Sequence, residues 1–209
     1  MGNLDFTYHI LIMSPLEILE IIAVISGIAS VWFSSKESIW VYPIGLFNTV
    51  IYIYLSFKGD LFGEASVNLF YTIMSIYGWY NWLRRGKDHQ LVVNISYSSK
   101  VDWAAQLLFF ISVFLVIYFS LSFIKTAFAP GTIPWADGIA SASAFTAMWL
   151  MTRKKVESWI WWLVTNIISI PLFYVKGYTL TAIYYSVLLV LAVVGLKEWR
   201  KKANEQSIS

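Results

Sequence analysis

Residues Glu157–Gly177 read ESWIWWLVTNIISIPLFYVKG. The run is long enough to cross a bilayer, which takes about 20 predominantly apolar residues. Arg153-Lys154-Lys155 precede it and Lys176 lies at its far end. Plain lipid does not select all of its content. Trp159, Trp162 and Asn166 recur at i, i+3 and i+7, so they share one face of a helix. An amide at mid-membrane depth costs free energy unless something hydrogen-bonds it. Two indoles in line with that amide make a wall suited to a flat, polar, cationic ligand. The alternative is that the tryptophans form an interfacial belt and Asn166 joins helix to helix.

The rest of the chain agrees with a membrane setting. Of its 209 residues 58% are hydrophobic and 13% charged, and the mean hydropathy is +0.65. A soluble domain is nearer a quarter charged, so the chain reads as an all-α membrane protein. Zero cysteines exclude disulfides and thiolate chemistry, and the two histidines, His9 and His89, lie outside the apolar runs. No metal centre and no cofactor is expected. The net charge of +3 is too small to suggest nucleic acid. No basic stretch followed by a cleavage site opens the chain, so no signal peptide is expected.

Seven spans are predicted, at Leu16–Phe33, Ile39–Phe57, Phe62–Leu83, Trp103–Ile124, Trp135–Thr152, Ser158–Val175 and Tyr178–Trp199. Met1–Pro15 reads as an interfacial segment, and residues 200–209 as a solvated cationic tail. Lys58, Lys125 and Lys176 are the lysines on the side of the N-terminus; the other twelve of the 15 basic residues lie on the opposite side. By the positive-inside rule the C-terminus is cytoplasmic and the N-terminus outside. Asp5, Glu17, Glu20, Asp60, Glu64 and Asp137 fall at or near the outer face. They read either as a vestibule whose field favours cations or as simple avoidance of the anionic inner leaflet.

Sliding the chain against itself gives a weak match at an offset of about 117–118. Trp32 meets Trp149, Asn48 meets Asn166, Lys58-Gly59 meets Lys176-Gly177, Gly78 meets Gly195 and Trp82 meets Trp199. Residues 16–83 and 135–199 are thus two three-helix units, with a linker at 84–134 carrying the fourth helix. Three spans plus one return the chain to its starting side, so the halves run parallel. In such facilitators the site sits at the interface between repeats, near the midplane.

Further polar and aromatic residues point the same way. Asn68, Tyr71, Ser75, Trp79 and Trp82 form one stripe along the third span. The second span adds Tyr42, Gly45, Asn48 and Tyr52; the seventh adds Thr181, Tyr184 and Tyr185. Helix packing through hydroxyl and amide bonds predicts a similar stripe. Indole faces attract cations, and amides donate and accept together, which suits ribose hydroxyls or a carboxamide. No acidic residue lies at the centre of a span, which removes the usual carboxylate relay for proton coupling. Pro43 and Pro171 interrupt two spans and are hinge candidates.

Catalysis finds no support. The chain lacks GxxxxGK[ST], HExxH and any Ser/His/Asp set, so it is not expected to be an enzyme. A retinal protein needs a mid-helix lysine, and every lysine here sits at a span end.

Three stretches carry a resemblance: WFSSKESIWVYPIGLFNTVIYIYL, MSIYGWYNW at Met74–Trp82, and WLMTRKKVESWIWWLVTNIISIPLFYVKGYTLTAIYY. The chain resembles the Pnu-type vitamin transporters, and within them the nicotinamide riboside branch, from about Leu16 to Lys201. The resemblance implies a SWEET-like 3+1+3 bundle in the cell inner membrane. It implies facilitated diffusion of an unphosphorylated vitamin precursor, trapped afterwards by a cytoplasmic kinase for NAD biosynthesis. A homotrimer is implied as well. Sibling groups carry thiamine or riboflavin, and a non-transporting membrane binding protein is the alternative of another class. The expected substrate wall is Trp159, Trp162, Asn166, Asn48, Asn68, Tyr71, Ser75, Trp79 and Tyr184.

Overall fold

A computed structural model describes residues 14–58, 62–86, 89–124 and 131–206. The described chain forms seven α-helices: α1 (Pro15–Ser35), α2 (Val41–Lys58), α3 (Phe62–Leu83), α4 (Lys100–Ile124), α5 (Pro134–Thr152), α6 (Ser158–Val175) and α7 (Thr179–Gln206). They match the predicted spans closely. The expected interfacial segment falls almost wholly outside the described residues.

Helix α1 starts where local chemistry tells it to. Ser14 caps it, Glu17 reaches back to the Ser14 backbone N–H at 2.7 Å, and Pro15 occupies the first turn. Glu17 therefore belongs to a helix start, which explains a carboxylate at the edge of an apolar run. Helix α4 begins similarly, with Ser99 and Asp102 bonding one another's backbone N–H groups.

By length and composition α1, α4, α6 and α7 are apolar enough to cross a membrane. The other three, α2, α3 and α5, are of similar length but more polar, since they turn amides, hydroxyls and small residues inward. In α5 the buried set is largely alanine, serine and threonine, which lets neighbouring backbones approach closely.

The packing order closes on itself. Helix α1 packs on α2, α2 on α3, α3 on α5, α5 on α6, α6 on α7, and α7 back on α1. Helix α4 packs chiefly on α5 and also meets α6, where Gln106 accepts from the Trp161 indole at 2.7 Å and Phe110 lies 4.8 Å from the same ring; its Leu108, Val116, Phe119 and Phe123 face outward. The end holding the α1–α2 and α5–α6 turns carries most of the cations; we call it the basic end.

At the basic end contacts recur in matched sets. The Trp82 indole donates to the Met151 carbonyl at 3.1 Å, and Trp199 to that of Ser34 at 3.0 Å. The Ser34 hydroxyl donates to the Met151 sulfur across a separation of 117 residues. Lys154 bonds Glu37 at 2.8 Å across the same 117. Both of the latter have left-handed backbones, Glu37 with φ 60 and Lys154 with φ 52. A Cβ on Gly78 would lie 2.5 Å from the Tyr42 ring, and one on Gly195 would lie 2.5 Å from Trp159. Each glycine is thus the seat of a large aromatic. Gly195→Ala should destabilise the protein by about 1–3 kcal/mol through overpacking, read as a lower melting midpoint in detergent; an unchanged midpoint would mean that Trp159 has room to move.

Two expectations need correcting here. The stretch after Trp199 is no solvated tail: α7 continues to Gln206, Ala203 is buried, and Lys202 bonds Glu37 at 2.8 Å. Its charges mask a helical register that keeps one side packed. Pro43 does not interrupt a span, because it lies in the first turn of α2, where a backbone N–H has no intrahelical partner to lose. Pro171 does lie inside α6, on an exposed face.

Candidate functional site

Aromatic rings from α3, α5 and α6 meet inside the ring of helices. The Tyr71 ring centroid stands 6.1 Å from Phe145 and 6.5 Å from Trp162. From α7, the Tyr184 and Tyr185 rings stand edge to face, centroids 5.6 Å apart. Tyr185 stacks on Phe173 at 5.2 Å. Tyr184 and Asn48 crowd together over Gly27, where a Cβ would lie 2.8 Å from the Tyr184 hydroxyl and 3.0 Å from the Asn48 amide nitrogen. That close approach is what a glycine in α1 provides.

The two central amides are in different situations. Asn48 donates to the Ala23 carbonyl at 2.6 Å, so it ties α2 to α1. Asn166 is 2% exposed, and its amide oxygen is buried without a hydrogen-bond partner. A buried acceptor left unsatisfied costs about 1–3 kcal/mol. Such an atom in a folded protein calls for a water or a ligand. Asn166 follows Trp162 by one turn and precedes Ser169 by another, so the orphan oxygen belongs to the aromatic wall.

The remaining predicted residues divide by depth. Ser75 is buried beside Gly45 and Ser30, at the α1–α2–α3 contact. Asn68 turns its amide back onto the Glu64 carbonyl of its own helix at 3.0 Å, and Thr72 takes the Asn68 carbonyl at 2.9 Å. Trp79 packs on the hydrophobic cluster at the basic end. Trp159 is placed there too: it is 1% exposed, sits on Gly195 and meets Trp199 edge-on at 5.7 Å. It therefore offers no face to a ligand, contrary to the expected wall. Spacing put it on the correct face of α6 but at the wrong depth.

The match of Asn48 to Asn166 also shifts. Asn48 bonds the Ala23 carbonyl, whereas it is Thr165 that bonds the Ala140 carbonyl, at 3.4 Å. The bond of the same kind is thus made by Thr165, one residue from Asn166. Phe145 and Phe173 were not anticipated, because a phenylalanine in an apolar run carries no distinguishing signal.

Of the acidic residues expected at an outer vestibule, Asp137 is neutralised by Lys176 at 2.7 Å and also accepts the Ile133 N–H. Glu17 is a cap, and Asp5 and Asp60 lie outside the described residues. Among the described residues no cluster of metal-ligating side chains occurs.

Comparison with known proteins fits this geometry. A nicotinamide riboside transporter PnuC of Escherichia coli is 25% identical, over 90% of this chain and 87% of that protein. One from Neisseria mucosa is 26% identical, over 95% of this chain and 78% of its own length. The riboflavin/roseoflavin transporter RibM of Streptomyces davaonensis is 22% identical, over 90% and 87%. A crystal structure of the vitamin B3 transporter PnuC superposes with a TM-score of 0.72 at 23% identity, covering 97% of this chain and 88% of that one. Its likeness speaks for the fold. Residues 17–201 match the family described as nicotinamide mononucleotide transporter, so this chain is a membrane vitamin-transporter homologue and belongs to that family.

Proposed function

We propose that the protein is a facilitator of nicotinamide riboside uptake across the inner membrane, driven by no ion gradient and no ATP. The observation that carries the reading is the orphan Asn166 oxygen set beside the Tyr71–Trp162 aromatic wall. A pyridinium ring stacks on such faces, and its carboxamide or ribose supplies the missing donor.

The matched contacts support a reading of alternating access about a central axis. The sets joining Trp82 to Met151 and Trp199 to Ser34 support a parallel 3+1+3 repeat, with the Glu37–Lys154 pair on its axis. All seven helices cross the membrane in this reading, with the N-terminus outside and the basic end in the cytoplasm. Phosphorylation of the product by a cytoplasmic kinase gives net accumulation, and the subunits form a homotrimer. Both follow from the resemblance.

The relative named for riboflavin favours a second substrate, equally flat but uncharged. Proteoliposomes loaded with unlabelled riboside and offered labelled riboside separate these. Exchange blocked by riboside, and not by thiamine, riboflavin or nicotinamide mononucleotide, is the expected result. Exchange seen for riboflavin or thiamine alone moves the substrate and keeps the mechanism. Ligand binding without exchange of any vitamin overturns transport.

A further inference from the structure

A cavity of about 500 Å³ opens at the basic end, away from the aromatic wall. Its lining includes Tyr77 and Asn81 of α3, Arg84 just beyond its end, Ser96 of the link before α4, and Arg153 and Lys155 of the α5–α6 turn. The link is fixed there: Ser96 donates to the Lys154 carbonyl and accepts from Val156, and Ile95 is buried in the core. Asn81 donates to the Thr152 carbonyl at 2.8 Å, so α3 and α5 hold the wall together.

The cavity is cationic. Asp102 is the carboxylate that meets its cations, 3.3 Å from Lys155 and 3.8 Å from Arg153. Arg84 has no ion-pair partner among the described residues. Three cations against one carboxylate leave a net charge of about +2, matched by one or two negative charges on a ligand. Guanidinium groups suit phosphate oxygens, which they bind bidentately.

We propose that this cavity binds a phosphate ester, the headgroup of an anionic phospholipid. Position favours the lipid over a soluble phosphate. Ile73 and Tyr77 fall at i and i+4 on α3 with both side chains exposed, and Arg84 follows directly after the helix end. An apolar track thus leads from the cavity toward the middle of the bundle's outer surface, where an acyl chain lies. Basic pockets between membrane helices at headgroup level are known to take such lipids. The site is separate from the substrate wall and stands whichever vitamin is carried.

Native mass spectrometry of the detergent-solubilised protein tests it, with phosphatidylglycerol, phosphatidylcholine of the same chains, and inorganic phosphate as probes. Retention of phosphatidylglycerol alone is expected, weakened about fivefold for each charge removed in Arg84→Gln and Arg153→Gln. Displacement of that lipid by millimolar phosphate, lost in the same variants, assigns the phosphate chemistry to a soluble ester instead. Equal retention by both lipids, or phosphatidylglycerol binding unchanged in the variants, overturns the site. Arg84→Gln is an exposed change at a helix end, so it keeps the test decisive if Arg153→Gln aggregates.

Discussion

Asn166→Leu is expected to stabilise the empty protein while weakening substrate binding by about tenfold or more. The two effects have one origin. The Asn166 oxygen is buried without a partner, and leucine of similar size removes an unsatisfied acceptor worth about 1–3 kcal/mol. Substrate that donates to that oxygen then loses its bond and leaves its own donor unpaired. Melting midpoint and ligand titration, measured on the same preparation, read the two signs separately. A lower midpoint with unchanged affinity would make Asn166 a joint between helices and remove it from the site.

The second large effect is expected at the basic end. Glu37→Gln should cost about 3 kcal/mol of stability, because it strips the partner from a lysine that is 3% exposed. Lys154 also lies 4.8 Å over the Trp82 ring, which softens the loss without removing it. Lys202→Gln should cost less than about 1 kcal/mol, since that lysine is 33% exposed and its charge is screened. Similar losses in the two variants would show that the buried pair carries no special weight.

The same site gives a pH dependence with a definite sign. Burial alone would raise the Glu37 carboxyl, but hydrogen bonds from Lys154 and Lys202 outweigh it and hold the pKa below its ordinary 4.5. A depressed folded pKa contributes stability that is full above the unfolded value and lost as pH falls through the folded one. The melting midpoint of the natural protein should therefore drop on acidification below 4.5, by more than that of Glu37→Gln. The pair also ties the α1–α2 turn to the α5–α6 turn. In the proposed transport cycle, opening that end parts them, so Glu37→Gln is a probe of exchange rate as well as stability.

Much of the architecture was legible along the chain. The seven apolar runs stand at the helices to within a few residues, and the convergent face of α6 does reach the interior through Trp162 and Asn166. Two local signals went further than hydropathy allowed. Ser14-Pro15-Leu16-Glu17 is a capping box, which accounts for Glu17, and the register of Lys202 and Ala203 carries α7 on past Trp199. Hydropathy averages read charge at that end and miss a packed stripe.

Depth and partners were not legible. Trp159 and Trp162 share a face, yet one seats on Gly195 and the other stands 6.5 Å from Tyr71. That Thr165, and not its neighbour Asn166, makes the bond resembling that of Asn48 was invisible until the carbonyls of Ala23 and Ala140 named the bonded atoms.

By itself the sequence determined the membrane class, the helices, the sidedness of charge and the faces rich in amides and indoles. These are local or periodic properties, set by a few neighbouring residues and their exposure to lipid or water. Only the tertiary structure decided which indole lines the interior, that the Asn166 amide oxygen is left without a partner, and that Arg84, Arg153 and Lys155 share one cavity. Those follow from the packing of helices far apart in the chain, where a single glycine or a shift of one turn determines which atoms meet.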